Sequence, residues 1–537
     1  MLFPPMAAGF PATRRPAFWV ILATALSLSL GWGIRGNFGH ESGAMIPGAL
    51  ATMMAVLLSG REDWWPRVAW FGMFGALGWS FGGSISYMQV IAYTHSGHSM
   101  SVLYGFACLF LIGFLWGAIG GTGSALPACL DTRALAGFVP VLTSIFAAWW
   151  LQDTAVSLVE SPDGTFRQAS PLYWYDTDWL GVLVAIGAVL LLGIIRRRWD
   201  DASSLVLHMA IGWWLGFLLL VVILGWRMTP PRGDNWAGCL GMVGGLWLFL
   251  QRRGWQQVTT ASVLTGFVGG FGFATATALK LIEVKSGLQT NWHSILEQTY
   301  GLINGIGLGV ATLLLAERAP RQPDDRAVSP SRRLYPIAFL LLLVSYLNLR
   351  KNPSAWIRAK AMGELLYGWS PEAWFNLGFA LLAATVTLLF WFQQRHRLAI
   401  VPPNPLGRGQ LLYLAFLWLL VVGNFERALV SFGPERLVTE GVIFVNALVG
   451  TLLVLVLPER LAAGLGSGTT GWQRPAVPMG RVAAVGLVAS ILSVTADWGV
   501  VRALYGDHFA GHAARHIRFG PDSTASRAKP SEDQPHP

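Results

Sequence analysis

The stretch AFWVILATALSLSLGWGIRGNFGHESGAMIPGALATMMAVLL, residues 17–58, decides the fold class of this chain. It holds two apolar runs joined by a glycine-rich segment, GWGIRGNFGHESGAMIPG at 31–48, which carries an arginine, a histidine and a glutamate. With its flanking glycines, each run approaches the roughly 20 residues that an α-helix needs to cross the hydrocarbon core of a membrane. Such runs recur along the whole chain, so the sequence predicts an all-α polytopic membrane protein.

Composition agrees with this prediction and excludes other fold classes. The 537 residues are 53% hydrophobic and only 12% charged, whereas a soluble protein has about 25% charged residues. A membrane β-barrel would instead show weakly alternating segments of about ten residues. The apolar runs leave no room for a large soluble domain.

The apolar runs predict about 14–15 transmembrane helices, arranged in four regions. These regions are a first six-helix half at 1–195, a second six-helix half at 196–394, additional helices at 395–505 and a disordered polar tail at 506–537. The runs themselves lie at 17–33, 42–58, 66–93, 101–125, 134–152, 179–195, 204–226, 235–251, 257–282, 294–316, 334–349, 371–394, 409–425, 436–457 and 482–503.

The net charge of +10 needs no nucleic-acid partner, because the Arg and Lys residues fall at the ends of the apolar runs. Cytoplasmic loops of membrane proteins carry such an excess of basic residues. With a cytoplasmic N-terminus, the arginine-rich loops alternate consistently onto one side, with 350–360 as an exception. We therefore expect a protein of the bacterial inner membrane in which 31–48 lies on the outer side.

Two parts of the chain resemble each other as an internal repeat. LSLGW at 28–32 is echoed by VILGW at 222–226, and each is followed by a polar segment and a glycine-rich helix. Glycines at i, i+4 and i+8 lie along one helix face and let another backbone approach closely. Both copies keep this spacing, at Gly113, Gly117 and Gly121 and again at Gly301, Gly305 and Gly309. The repeat predicts two parallel six-helix halves, which is a transporter architecture.

In helix count and repeat order, residues 17–394 resemble the major facilitator superfamily. GGLWLFLQRRGWQQ at 244–257 looks like the glycine-and-basic loop that follows the second helix of a half in that family. The corresponding first-half loop, LLSGREDWWPR at 57–67, has the residue types in a different order, and the linker RRRWDDASS at 196–204 is shorter than the family's. The resemblance implies a secondary transporter that works by alternating access and without a cofactor.

Polar residues within or beside the apolar runs are the candidate substrate-binding or coupling residues. Ionisable groups at membrane depth are costly unless paired or hydrated, and are functional by default. Glu297 is the strongest candidate for coupling to a proton or cation, although hydrogen bonding between helices would explain each residue as well. The set comprises Arg35, Asn37, His40, Glu41, Lys280, Glu283, Glu297 and Asn304, with Asn424, Glu426 and Glu440 further along the chain.

A metal site is a further hypothesis for the outer loops. His40 and Glu41 end one of these loops, and His95 and His98 lie in the next, so the four side chains are weak candidates for zinc ligands. Their spacing matches no metal motif. His508, His512 and His516 in the tail share a helical spacing, but a disordered polar tail explains them better than a metal site does.

The sequence therefore predicts a secondary transporter of a small polar or anionic solute, coupled to a proton or cation, with membrane lipids as its other partner. Arg35 and the glycine-rich backbone at the start of the second helix could hold an anion. The alternative is a membrane-embedded transferase with its active site on the extracytoplasmic face, acting for example on a lipid-linked sugar with Glu41 as base. A non-catalytic scaffold stays open. The sequence contains no Walker motif, which argues against an ATP-driven pump.

Overall fold

A computed structural model gives the fold, and it describes residues 14–96, 98–159, 171–228, 234–321, 328–431, 436–465 and 479–506. The α-helices are α1 Arg14–Phe38, α2 Glu41–Leu58, α3 Val68–Gly82, α4 Met88–Tyr93, α5 Ser99–Cys129, α6 Thr132–Val159, α7 Trp179–Arg196, α8 Asp201–Phe217, α9 Asn235–Arg252, α10 Gln256–Val284, α11 Trp292–Arg318, α12 Pro330–Ala338, α13 Ser345–Leu349, α14 Asn352–Arg358, α15 Pro371–Gln394, α16 Pro405–Ser431, α17 Arg436–Val456, α18 Pro458–Leu465 and α19 Met479–Tyr505. Most of the tail, including its three histidines, lies outside the described residues. The loop segments 160–170, 322–327 and 466–478 also lie outside them.

Thirteen helical segments of the described chain are long and apolar enough to cross a membrane. Two more helices, α3 and α9, pack among them. The predicted all-α polytopic fold is thereby confirmed. The segment predicted at 334–349 is longer than expected, because α12 continues through a π-helical turn at Phe339–Val344 into α13 and α14.

The centre of the bundle is formed by α1, α5, α10 and α11, which contact each other across the two predicted halves. The predicted glycine faces lie in these contacts. A Cβ added at Gly117 of α5 would lie 3.0 Å from Gly266 Cα of α10, and one added at Gly301 of α11 would lie 2.7 Å from Leu28 O of α1. The close backbone approach predicted from the glycine spacing is confirmed at both contacts. The division into two halves remains a prediction.

Hydrogen bonds reinforce the contact between α5 and α10. Thr265 Oγ1 donates to Gly117 O at 2.8 Å, and Ser262 Oγ donates to Ala118 O at the same distance. Both hydroxyls belong to α10 and both acceptors are backbone carbonyls of α5. Hydrogen bonds from side-chain hydroxyls of one helix to backbone carbonyls of the other hold the two helices in one register.

The prediction of a single helix over 66–93 is wrong. The helix α3 ends at Gly82, the chain bends through residues 83–87, and α4 is a separate short helix. Gly82 lies against Trp116 of α5, whose indole N–H donates to the Gly82 carbonyl. The bend brings Tyr87 into the interior, where it is 2% exposed.

A second group of helices, α6 to α9, packs beside this centre. These helices contact one another more than they contact α3 and α5, so a space remains between the two groups. At the far end of the chain, α16 and α17 pack against α1 and α2, and α19 packs against α10. The helices after residue 395 are therefore part of the bundle and not a separate layer.

Two faces of the bundle are distinguished by their residues. We call the side on which α1 ends and α11 begins the site face. The opposite side, the basic face, has an arginine at or just beyond the ends of several helices. These arginines are Arg61, Arg133, Arg196, Arg252 and Arg318.

Candidate functional site

The centre of the site is an ion pair between Arg35 in the last turn of α1 and Glu297 in the second turn of α11. Arg35 Nη1 donates to Glu297 Oε1 at 2.7 Å, and the two residues are 3% and 2% exposed. Removing two charges from water costs several kcal/mol per ion, and this cost is offset only when the geometry and further hydrogen bonds are good. The pair therefore needs the partners that surround it.

Tyr87 and His293 add further hydrogen bonds around the ion pair. The Tyr87 hydroxyl donates to Glu297 Oε1 at 2.6 Å and accepts from Arg35 Nη1 at 3.1 Å. His293 Nε2 lies 3.2 Å from the same hydroxyl, and the two rings are stacked. Because the hydroxyl hydrogen is already donated to Glu297, His293 Nε2 must be the donor to Tyr87. This set of contacts, the Arg35 centre, joins α1, α11 and the bend after α3.

Aromatic rings form the floor of the Arg35 centre. The Arg35 guanidinium carbon lies 5.3–5.9 Å from the ring centroids of Trp32, Tyr87 and Trp116, within the range of cation–π attraction. Trp32 and Trp116 are stacked at 4.8 Å, and Tyr300 packs edge-on against Trp32. Trp32 is 1% exposed, so it belongs to this floor.

His40 connects the Arg35 centre to the turn between α1 and α2. Arg35 Nη2 donates to His40 Nδ1 at 2.9 Å. Because a guanidinium only donates, Nδ1 must be unprotonated and His40 neutral. Burial and the neighbouring Arg35 charge lower the pKa of His40 below its ordinary value. A neutral imidazole next to an arginine is the expected result of both effects.

A second polar network lies on the other side of α1. Asn37 Nδ2 donates to Asn424 Oδ1 of α16 at 2.5 Å, and Arg436 Nη1 of α17 donates to Asn37 Oδ1 at 2.7 Å. Asn424 also donates to the Glu440 carboxylate. Asn37 is thus the residue through which α16 and α17 are fixed to the end of α1.

Lys351 closes the turn that follows α1. Its ammonium group donates to Phe38 O and, at 2.9 Å, to Ser42 Oγ. A lysine commonly satisfies the last carbonyls of a helix and favours its negative end. Gly39, which has a φ of +92° that favours glycine, lets the chain turn at this point. Glu41, the first residue of α2, directly precedes the Ser42 that Lys351 contacts.

A cavity of about 450 Å³ opens beside Glu41, between the centre and the group α6–α9. Its walls come from α2, α3 and α5–α9 and are almost entirely aliphatic or aromatic. Among the residues that the structure describes, the charged lining residues are Glu41, Asp153 and Asp178, and none of the lining residues is Lys, Arg or His. On α6 the lining runs from Phe138 to Asp153, a helical rise of about 22 Å. The cavity thus extends through most of the hydrocarbon depth and is acidic only near the site face.

The structure brings together some of the predicted site residues and separates others. Arg35, His40 and Glu297 form the Arg35 centre, while Asn304 lies deeper on α11 and donates to Tyr300 Oη at 2.9 Å. Lys280 and Glu283 lie on α10, and no ion pair joins them within the described residues.

The four weak metal candidates are not assembled into a site. In the part of the chain that the structure describes, no group of three or more His, Cys, Asp or Glu side chains is placed to hold a metal ion. His98 instead accepts a hydrogen bond from Ser101 N and caps the start of α5. His98 therefore stabilises the first turn of its own helix.

Sequence reasoning missed Tyr87, Lys351 and Arg436. Tyr87 falls within the run that predicted one continuous helix, and its position depends on the bend before α4. Lys351 and Arg436 lie more than three hundred residues from the α1 groups that they contact. The excess of basic residues at 350–360 on the predicted outer side was the one signal that pointed to Lys351.

Comparison of the chain with family models, with curated proteins and with solved structures finds no match.

Proposed function

We infer that the protein is a membrane-embedded transferase whose active site lies on the site face and whose substrate is an amphiphile. The observation that carries this proposal is the position of two consecutive residues. His40 is bonded to the Arg35 centre, and Glu41 lines the mouth of the apolar cavity. A polar centre of fixed geometry thus adjoins a space suited to a hydrocarbon chain.

The proposal includes an orientation of the protein in the membrane. The basic face carries the arginines expected of cytoplasmic loops. The site face is then extracytoplasmic, the N-terminus is cytoplasmic and the membrane is a bacterial inner membrane. The amphiphile reaches the cavity from the bilayer, with its polar head near the site face.

Glu41 is the proposed general base. Its carboxylate takes the proton from an O–H or N–H group of the acceptor, whose lone pair forms the new bond to the transferred group. The bond from that group to the donor breaks, and its electron pair leaves with the donor. Glu41 is exposed at the rim, while the adjacent backbone is held by the bond from Ala44 N to His40 O at 2.9 Å. A positioned base of this kind contributes about 10²–10⁴-fold to the rate.

The packing of the centre also supports a transferase over a rocking transporter. Two glycine-lined contacts, α1 with α11 and α5 with α10, join the predicted halves through backbone atoms. Alternating access by rocking one half against the other would have to open both contacts. An enzyme needs no such movement and gains from rigid support of its catalytic groups.

A secondary transporter is the second candidate, and the Arg35–Glu297 ion pair favours it. This buried pair joins α1 to α11, which belong to different predicted halves, and lies at one face of the bundle. A pair that breaks when the two helices separate would act as a gate. The transported molecule would be a small polar or anionic solute coupled to a proton or cation.

One experiment separates the two candidates. The full chain is purified in detergent and, in parallel, reconstituted in liposomes with and without a proton gradient. The transferase proposal predicts consumption of an amphiphilic substrate in detergent, reduced about 10²–10⁴-fold by Glu41→Gln. Gradient-dependent solute uptake that is abolished by Glu297→Gln, with no turnover in detergent, would overturn it in favour of the transporter.

A further inference from the structure

The lining of the cavity indicates what kind of molecule occupies it. A small polar solute would lose its hydration there and find few hydrogen-bond partners, because the walls are apolar over most of their depth. A hydrocarbon chain has no hydrogen bonds to water that it would lose on entry, and its length suits the elongated cavity. Towards the basic face the lining consists of aliphatic and aromatic side chains, including Leu126, Leu205 and Leu246.

The charge at the mouth indicates the head group. Asp153 at the end of α6, Asp178 before α7 and Glu41 at the start of α2 come from three different walls. Three basic side chains on this side of the bundle are engaged elsewhere, since Arg35 is bonded to Glu297, Lys351 to the end of α1 and Arg227 to Asp234. An anionic head such as a phosphate would meet three carboxylates and, in the described part of the lining, no cation. A positively charged head would meet charges of the opposite sign in three of the walls.

We propose that the cavity binds a long-chain amphiphile whose head is a protonated amine. The ammonium group lies among Glu41, Asp153 and Asp178, and the chain extends along α6 towards Phe138. This inference deepens the proposed function and rests on it for the role of the amphiphile as a substrate. The amine is then also placed beside Glu41, the residue proposed to remove a proton from the acceptor.

Binding of three amphiphiles with one chain length tests the head group. Hexadecylamine, hexadecanol and hexadecyl phosphate are titrated against the full chain in nanodiscs, and complexes are counted by native mass spectrometry at neutral pH. We expect hexadecylamine to bind about tenfold more tightly than hexadecyl phosphate, which corresponds to 1.4 kcal/mol. Asp153→Asn should weaken amine binding about fivefold, as expected for one exposed ion pair. Glu372→Gln, an exposed carboxylate of α15 that does not line the cavity, is the matched control and should change nothing.

A filled cavity tests the place of binding. Ala185→Trp puts a large ring into the cavity from α7, whereas Leu191→Trp puts the same ring on the exposed surface of that helix. We expect Ala185→Trp to abolish binding of all three amphiphiles and Leu191→Trp to leave it unchanged. Equal apparent melting temperatures of the two variants would show that both are folded. Val182→Phe, a smaller change on the same wall, serves if Ala185→Trp is unstable.

The outcomes distinguish this inference from the proposed function. Equal or tighter binding of hexadecyl phosphate at the site blocked by Ala185→Trp would overturn the amine assignment and leave the transferase proposal standing. Amine binding that persists in Ala185→Trp, or the absence of any amphiphile binding, would overturn the inference itself. The transferase proposal fails separately, if turnover in detergent is absent.

Discussion

The carboxylate of Glu297 occupies the space that the missing side chain of Gly36 leaves on α1. A Cβ at Gly36 would come closer to Glu297 Oε2 than two such atoms can approach. The ion pair with Arg35 is therefore built on a glycine one residue further along the same helix. This relationship connects the packing of α1 and α11 directly to the electrostatics of the site.

Gly36→Ala should displace Glu297 and weaken the Arg35 centre. Overpacking of this kind costs about 1–3 kcal/mol, and here it also disturbs an ion pair. We expect a fall of this size in the free energy of unfolding, measured by denaturant titration of the purified protein. Gly137→Ala in α6 is the control, because its added Cβ meets nothing within 4 Å. Equal effects of the two substitutions would contradict the proposed fit.

The Arg35–Glu297 ion pair should behave as a coupled unit. Arg35→Met or Glu297→Met alone leaves one buried charge unpaired and should lower the free energy of unfolding by about 3–5 kcal/mol. The double variant should lose clearly less than the sum of the single variants, since no unpaired charge remains. A double-mutant cycle measures this coupling. Simple additivity would mean that the two charges do not stabilise each other.

Tyr87→Phe should be more costly than an ordinary loss of a buried tyrosine hydroxyl. Tyr87 bonds to both charged groups of the ion pair, and such bonds contribute about 1.5–3 kcal/mol. Tyr413 is equally buried, but its hydroxyl bonds to the neutral Ser27, for which about 0.5–1.5 kcal/mol is expected. Unfolding of Tyr87→Phe and Tyr413→Phe under the same conditions tests the difference. A larger effect at Tyr413 would argue against the central role given to Tyr87.

His40 should make the folded protein sensitive to mild acid. Its pKa is lowered in the folded state, so the unfolded chain binds a proton at a higher pH than the folded chain does. Stability from this group is therefore present above the ordinary histidine pKa of about 6.5 and falls as the pH drops below it. The apparent melting temperature at a fixed heating rate, measured from pH 8 to pH 5, should fall less steeply for His40→Gln. Identical slopes for the two proteins would exclude His40 as a source of this sensitivity.

Much of the fold follows from local sequence patterns. Apolar runs and the glycine spacing on α5 and α11 predict the spans and the close contacts, because helix length and small side chains act within one segment. The prediction failed at 66–93, where two glycines and a contact with Trp116 from another helix end α3 early. The bend after α3 depends on the packing of α5 against it more than on the sequence of α3 itself.

The site was only partly predictable for a related reason. Glu297, Arg35 and His40 were identified because charged groups in apolar surroundings are unusual. Their pairing was not predicted, because the two members of the ion pair are separated by 262 residues and no local pattern connects them. The cavity arises between two groups of helices and has no signature in any one of them.

The same separation in sequence sets the order in which the protein can be assembled. The ribosome completes α1, with Arg35 near its end, long before Glu297 on α11 has been made. During that interval the guanidinium has no carboxylate partner, and an unpaired arginine disfavours full entry of a helix into the bilayer. Nascent chains that stop before α11 should therefore hold α1 less deeply than nascent chains that extend beyond it. The last step of membrane insertion at the N-terminus is thus governed by a helix that is synthesised in the second half of the chain.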